Sequence, residues 1–93
     1  MSVVIIGGND CMVRRYMDVC KSYNCKAKVF TQPNGNLKKQ IGSPDLLVLF
    51  TSTVSHKMIY AALKEGERNS TEIIRSHSSS VSALDKILKE YAV

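Results

Sequence analysis

The chain has 93 residues and a formal charge of +5, from thirteen Lys plus Arg against eight Asp plus Glu. That length makes one domain, residues 1–93, and the charge favours a small anionic ligand such as a nucleotide or phosphorylated metabolite. A hydrophobic content of 44 % with 23 % charged residues excludes a disordered or fibrous chain, and no apolar run approaches the length of a membrane-spanning helix.

Met1 leads straight into an apolar strand pattern, with no secretory leader. Three cysteines, an odd number in no disulfide-like framework, indicate the reducing cytoplasm. A chain this small buries only about 60–65 % of its unfolded surface, so a homodimer that covers more apolar area is expected.

Val3-Val4-Ile5-Ile6 is β-branched and unalternating, the pattern of a central strand in a parallel sheet covered on both faces. Gly7-Gly8 then permits a tight turn, and Asn9 or Asp10 is placed to cap a helix. Val13, Tyr16, Met17, Cys20 and Tyr23 or Asn24 recur at helical spacing, predicting an amphipathic helix over about 11–23. Its outer face carries Arg14, Arg15, Asp18, Lys21 and Ser22.

Residues 26–30 form the second strand, and Lys26 and Lys28 suit a sheet edge, where charge discourages pairing with another chain. Thr31-Gln32-Pro33-Asn34-Gly35-Asn36 is a turn cluster, and a short helix over about 37–41 stops at Gly42 before Pro44. Leu46-Leu47-Val48-Leu49-Phe50 is the third strand. It gives way abruptly to Thr51-Ser52-Thr53-Val54-Ser55-His56, with Ser55 as helix cap. A helix from Lys57 to about Glu67 follows, burying Met58, Ile59, Ala62, Leu63 and Gly66. Residues 72–74 make a short fourth strand, and a last helix runs from about Ser80 to Tyr91. Its inner face is Val81, Leu84, Ile87, Leu88 and Tyr91, and Ser82 with Asp85 has capping-box spacing.

Alternation of this kind predicts an α/β fold: a small flavodoxin-like or Rossmann-like three-layer sandwich with a four-stranded parallel sheet. The expected order is 2-1-3-4, with the most apolar strands in the middle. The least guarded edge is the 72–74 strand, the candidate surface for homodimer pairing.

Ligands of open α/β sheets bind beyond the carboxyl ends of the strands, where the strand order reverses. Helix N-termini there present unpaired N–H groups and partial positive charge. The candidate ligand-binding residues are Gly7, Gly8, Asn9 and Asp10; Thr51, Ser52, Ser55 and His56; and Arg75, Ser76, Ser78 and Ser79. The glycines supply the turn and N–H groups, the hydroxyls and His56 supply hydrogen bonds, and Arg75 neutralises the anion. The plain structural use of the same residues is capping and loop lining.

Two other chemistries use the same loops. His56 is a candidate acid–base residue, its unperturbed pKa being near neutral, for a phosphodiesterase or nuclease acting on small or cyclic oligonucleotides. No Ser-His-Asp order is legible. Cys11, His56 and His77 are ligand types for a metal or haem sensor, without C-x-x-C or H-x3-H spacing to support it. Cys11 as a nucleophile would need an arginine-closed loop, and Arg14 comes too soon. Neither G-x-G-x-x-G nor G-x-x-x-x-G-K-S/T occurs, so no cofactor is assigned. The basic residues scatter over the elements. That speaks against duplex recognition through a helix and leaves a small oligonucleotide open on charge alone.

Taken together, Val3-Val4-Ile5-Ile6-Gly7-Gly8, Val54-Ser55-His56 and Arg75-Ser76-His77-Ser78-Ser79-Ser80 resemble the bacterial domain-of-unknown-function family twenty-three twenty-five. Members look like small α/β domains with a glycine pair after the first strand, a VSH after a middle strand and an RS-type serine run after the last. Many carry a His-Asp/Asn-Gly turn where this chain has Thr31-Gln32-Pro33-Asn34-Gly35. The resemblance spans essentially the whole chain; it implies the fold and the shared loop ends, and it implies no activity.

Overall fold

The two unbroken apolar runs become the inner strands of a single sheet. In the computed structural model, which describes residues 1–32, 40–42, 44–68 and 71–91, β1 (Ser2–Ile6), β2 (Lys26–Phe30), β3 (Leu46–Phe50) and β4 (Glu72–Ser76) lie in the order β2-β1-β3-β4. All three pairings are parallel, with Ile5 opposite Val29 and Val48, and Val48 opposite Ile74. Every residue of β3 is buried, because β1 and β4 flank it and helices cover both its faces.

Strand alternation divides the core in two. On one face Val3, Ile5, Leu46, Val48 and Phe50 pack with Tyr16 and Cys20 of α1 (Val13–Ser22) and with Leu84 and Leu88 of α3 (Val81–Tyr91). On the other, Val4, Ile6, Leu47 and Leu49 pack with Met58 and Ala62 of α2 (His56–Arg68) and with Ile41. The fold is the expected three-layer α/β sandwich in the expected strand order.

The boundaries moved where backbone partners lie far away in sequence. The helix expected over 11–23 opens as a 3-10 turn, Asp10–Met12, and is α-helical only over Val13–Ser22. It ends with Asn24 at φ 60, while the N–H groups of Asn24 and Cys25 reach the carbonyls of Lys21 and Cys20, each at 2.9 Å. This is a Schellman stop, with asparagine in the place glycine usually takes. Met17, expected on the inner face, is 46 % exposed; it overhangs the edge strand and lines a shallow groove with Ala27, Val29 and Phe30. Tyr91, expected on the inner face of α3, is 37 % exposed at its end.

The fourth strand runs two residues beyond expectation, because the Ser76 carbonyl accepts the Thr51 N–H at 2.9 Å. Helix α2 starts at His56 and carries Gly66 inside it. Gly66 lets β4 approach: a Cβ there would meet Ile73 Cδ1 at 2.7 Å. Of the expected 37–41 helix, Gln40 and Ile41 are helical, and Gly42 follows at φ 64. Residues 37–39 and the 33–36 turn lie outside the described residues.

Candidate functional site

The carboxyl ends of β1 and β3 are bound directly to one another. The Gly8 N–H donates to Thr53 Oγ1 at 2.7 Å, and that hydroxyl donates in turn to the Phe50 carbonyl at 3.1 Å. Gly7 N–H extends the ladder to Phe30 at 2.8 Å. Both glycines are required twice over. Gly7 has φ 112, and a Cβ would lie 2.6 Å from Val54 Cγ1 and 2.9 Å from the Phe50 carbonyl oxygen. Gly8 has φ 83, and a Cβ would lie 2.6 Å from the Tyr16 ring. Only glycine takes such backbone angles without strain.

The ends of β3 and β4 are joined as closely. Both the N–H and the hydroxyl of Thr51 reach the Ser76 carbonyl, and the Ser52 hydroxyl donates to the His77 carbonyl at 2.6 Å. Ser76 donates to the Ser78 carbonyl at 2.8 Å, and Ser78 and Ser80 pair their hydroxyls at 3.1 Å. Ser80 Oγ accepts the Ala83 N–H at 3.1 Å, which caps α3. The Ser82–Asp85 capping box does not form: α3 starts at Val81, and Asp85 instead accepts the Tyr23 hydroxyl at 2.8 Å. Ser55 caps α2 as expected, accepting the Met58 N–H at 3.4 Å.

Asp10 has a different task from capping. Its carboxylate accepts the Thr31 hydroxyl and, at 3.2 Å, the Gln32 side-chain amide, tying the β1 end to the β2 end. Asn9 sits at the N-cap position without making a side-chain cap bond. Tyr16 completes the stitching. Fully buried, it places its ring 5.3 Å from that of Phe50 and donates its hydroxyl to the Ser79 carbonyl. A buried tyrosine on an apolar stripe needs a partner for its hydroxyl; that signal was available in the sequence, though the identity of the partner was not. Thr31, Thr53 and Tyr16 are thus site-building residues that motif reading passed over.

The predicted residues therefore divide by what is already bonded. The hydroxyls of Thr51, Ser52, Ser55, Ser76 and Ser78 and the carboxylate of Asp10 are engaged within the loops. The side chains of Asn9, His56, Arg75 and Ser79 have no hydrogen-bond or ion-pair partner among the described residues. His56 opens α2 and is exposed. Arg75 lies within β4, not in the loop beyond it, opposite Leu49 and exposed. Alternation places it on the α2 face, with Ile73. The amides of His56, Lys57, Val81 and Ser82 find no acceptor among the described residues, leaving the first turns of α2 and α3 with open donors at this edge.

Cys11, His56 and His77 do not gather: among the described residues no three His, Cys, Asp or Glu side chains form a metal-holding group. They leave three different strand ends, Cys11 in the 3-10 turn Asp10–Met12, His56 at the start of α2 and His77 after β4. Burial pushes the Cys20 thiol up to about 11, with Cys25 adding to the effect, so Cys20 is a core residue. Burial also raises the Tyr16 pKa, while the bond to Ser79 works against it. The bond to Asp85 raises that of Tyr23.

Among solved structures, a de novo designed Rossmann fold protein matches with a TM-score of 0.64 at 11 % identity, covering 97 % of this chain and 95 % of its own. The solution NMR structure of a de novo designed Rossmann 2x2 fold protein matches with a TM-score of 0.63 at 14 % identity, covering 99 % of this chain and 87 % of its own. At such identities the likeness shows the fold alone. No curated protein matches. No helix among the described residues is long and apolar enough to cross a membrane. The profile of a family described as an uncharacterized protein conserved in bacteria matches residues 2–91, and the chain belongs to that family, DUF2325, as the glycine pair, the VSH and the serine run implied.

Proposed function

We propose that this domain binds a small anion, a nucleotide or phosphorylated metabolite, at the carboxyl edge of its sheet, as a binding or sensing module rather than an enzyme. The observation that carries this reading is the junction of β1 and β3 through Gly8 and Thr53. It lies where the chain leaves one strand for the α1 face and the next for the α2 face, the place where open α/β sheets hold ligands. Donors left open among the described residues in the first turns of α2 and α3, the guanidinium of Arg75, unpaired among the same residues, and the net charge of +5 favour an anion there. Asn9, His56 and Ser79 are the side chains left to select it.

The test is calorimetric titration of the chain with a panel of nucleoside phosphates, cyclic nucleotides and sugar phosphates. At least one should bind, and Arg75→Ala should weaken that binding by about 1.5–3 kcal/mol, the scale of a charge-assisted hydrogen bond. Absence of binding across the panel, or an unchanged affinity in Arg75→Ala, overturns the reading.

A further inference from the structure

The two edges of the sheet are built differently. Along β2 the exposed residues are Lys26 and Lys28, of like charge, and the adjacent groove is lined by Arg14, Asp18 and Lys21 together with Met17, Cys25 and Ala27. Charge of this kind keeps an edge from pairing. The β4 edge exposes Glu72 and Arg75, of opposite charge, and carries half-buried apolar residues on three elements. Ile73 and Ile74 are half-buried, one on each face of the sheet. Gly66 lies against Ile73, which identifies the flank of α2 nearest β4. Ile59 and Leu63, at helical spacing from Gly66, share that flank and are half-buried. On α3 the bond from Tyr23 to Asp85 marks the flank turned to α1. The opposite flank, turned to β4, carries Ala83 and Ile87, again half-buried.

The backbone of β4 adds a register. The Ser76 carbonyl points inward to Thr51. Successive residues alternate, so Glu72 and Ile74 also point toward β3, and Ile73 and Arg75 direct their N–H and C=O groups outward. Those outward groups have no partner among the described residues.

We propose that a second copy of this chain docks here, its β4 antiparallel to the first, with the two-fold axis at Ile74. Ile73 and Arg75 of each copy then exchange N–H···O bonds with Arg75 and Ile73 of the other. The two Ile74 side chains meet as the close, non-hydrogen-bonded pair on the α3 face. On the α2 face the aliphatic stem of Arg75 covers Ile73 of the second copy while its charged head reaches water. No like charges stand directly opposite, since Glu72 faces Ser76. The register centred on Ile73 would call on the Thr71 N–H, which is already given to the Gly66 carbonyl at 2.9 Å. Ile59, Leu63, Ala83 and Ile87 supply the apolar area that edge hydrogen bonds alone lack, and a two-fold interface uses each of them twice. The result is one continuous sheet through both copies, with the two carboxyl edges facing opposite ways.

The test combines sedimentation and cross-linking of the full chain. Wild-type protein should sediment at twice the chain mass, and Ile74→Lys should sediment as a folded monomer, with circular dichroism unchanged. In a Cys11→Ser background, which removes the one exposed native thiol, Ile74→Cys should form a covalent dimer with oxidised glutathione. Ile73→Cys, which sits opposite Arg75, should not. A monomeric wild type, a dimer that survives Ile74→Lys, or a dimer in which Ile73→Cys cross-links and Ile74→Cys does not, overturns the proposal.

Discussion

The Tyr16 hydroxyl donates to the backbone carbonyl of Ser79, so the helix that follows β1 holds the loop that follows β4. Tyr16→Phe leaves that carbonyl without its donor and keeps the ring against Phe50. We expect a loss of about 0.5–1.5 kcal/mol, the net worth of one hydrogen bond, read from urea denaturation with an unchanged slope. Tyr16→Ala, which also empties the space beneath Gly8, should cost about 3–5 kcal/mol.

Gly8 and Gly42 both have positive φ but differ in surroundings. Gly8→Ala drives a Cβ into the Tyr16 ring, whereas among the described residues nothing lies within 4 Å of the same atom at Gly42. Gly42→Ala should therefore cost only the backbone term, about 1–2 kcal/mol. Gly8→Ala should cost clearly more, because Tyr16 is fully buried and cannot give way. Equal losses of melting temperature in the two variants would contradict the packing described.

Asn24 offers the opposite sign. Its φ of 60 ends α1, and Asn24→Gly should raise stability by a few tenths to about 1 kcal/mol through relief of the side-chain penalty. Asn24→Val, branched at the same angle, should lower it. Thermal melts of the pair decide the point.

Stability should fall at alkaline pH. The Cys20 thiol ionises near 11 in the folded chain and near the ordinary thiol value, about 8.5, in the unfolded one. The unfolded state thus releases its proton first. The contribution is complete below about pH 8.5 and is lost as pH rises through about 11, up to about 3 kcal/mol in all. Tyr16, also raised by burial, adds a loss of the same sign that begins above about pH 10. Denaturation midpoints measured from neutral pH upward should show this decline, and Cys20→Ala should flatten its first part.

The central strands and their order were legible because Val3 to Ile6 and Leu46 to Phe50 carry their burial in their own composition. Ser55 was legible as a cap because capping is local: its partner, Met58, is three residues away. Asp10 read as a cap for the same reason, yet its partners are Thr31 and Gln32, about twenty residues on, and no local pattern announces them. Arg75 and Ser76 read as loop because they are polar. They stay in the strand because Thr51 supplies a backbone partner from across the sheet. The location of the candidate site was visible in the glycine pair and the hydroxyl runs. Which hydroxyls remain free for a ligand depends on contacts between loops, and those appear only once the chain is folded.

The split of the core by the sheet has an engineering consequence. Leu84 sits in the cluster beneath α1 and α3, Met58 in the one beneath α2, and the two clusters have no residue in common. Truncations on opposite sides should then add independently: Leu84→Ala and Met58→Ala combined should lose the sum of the single losses to within about 0.5 kcal/mol. A designer could recompose the layer under α1 and α3 to raise thermal tolerance without touching the packing that sets where α2 begins, and with it the position of His56.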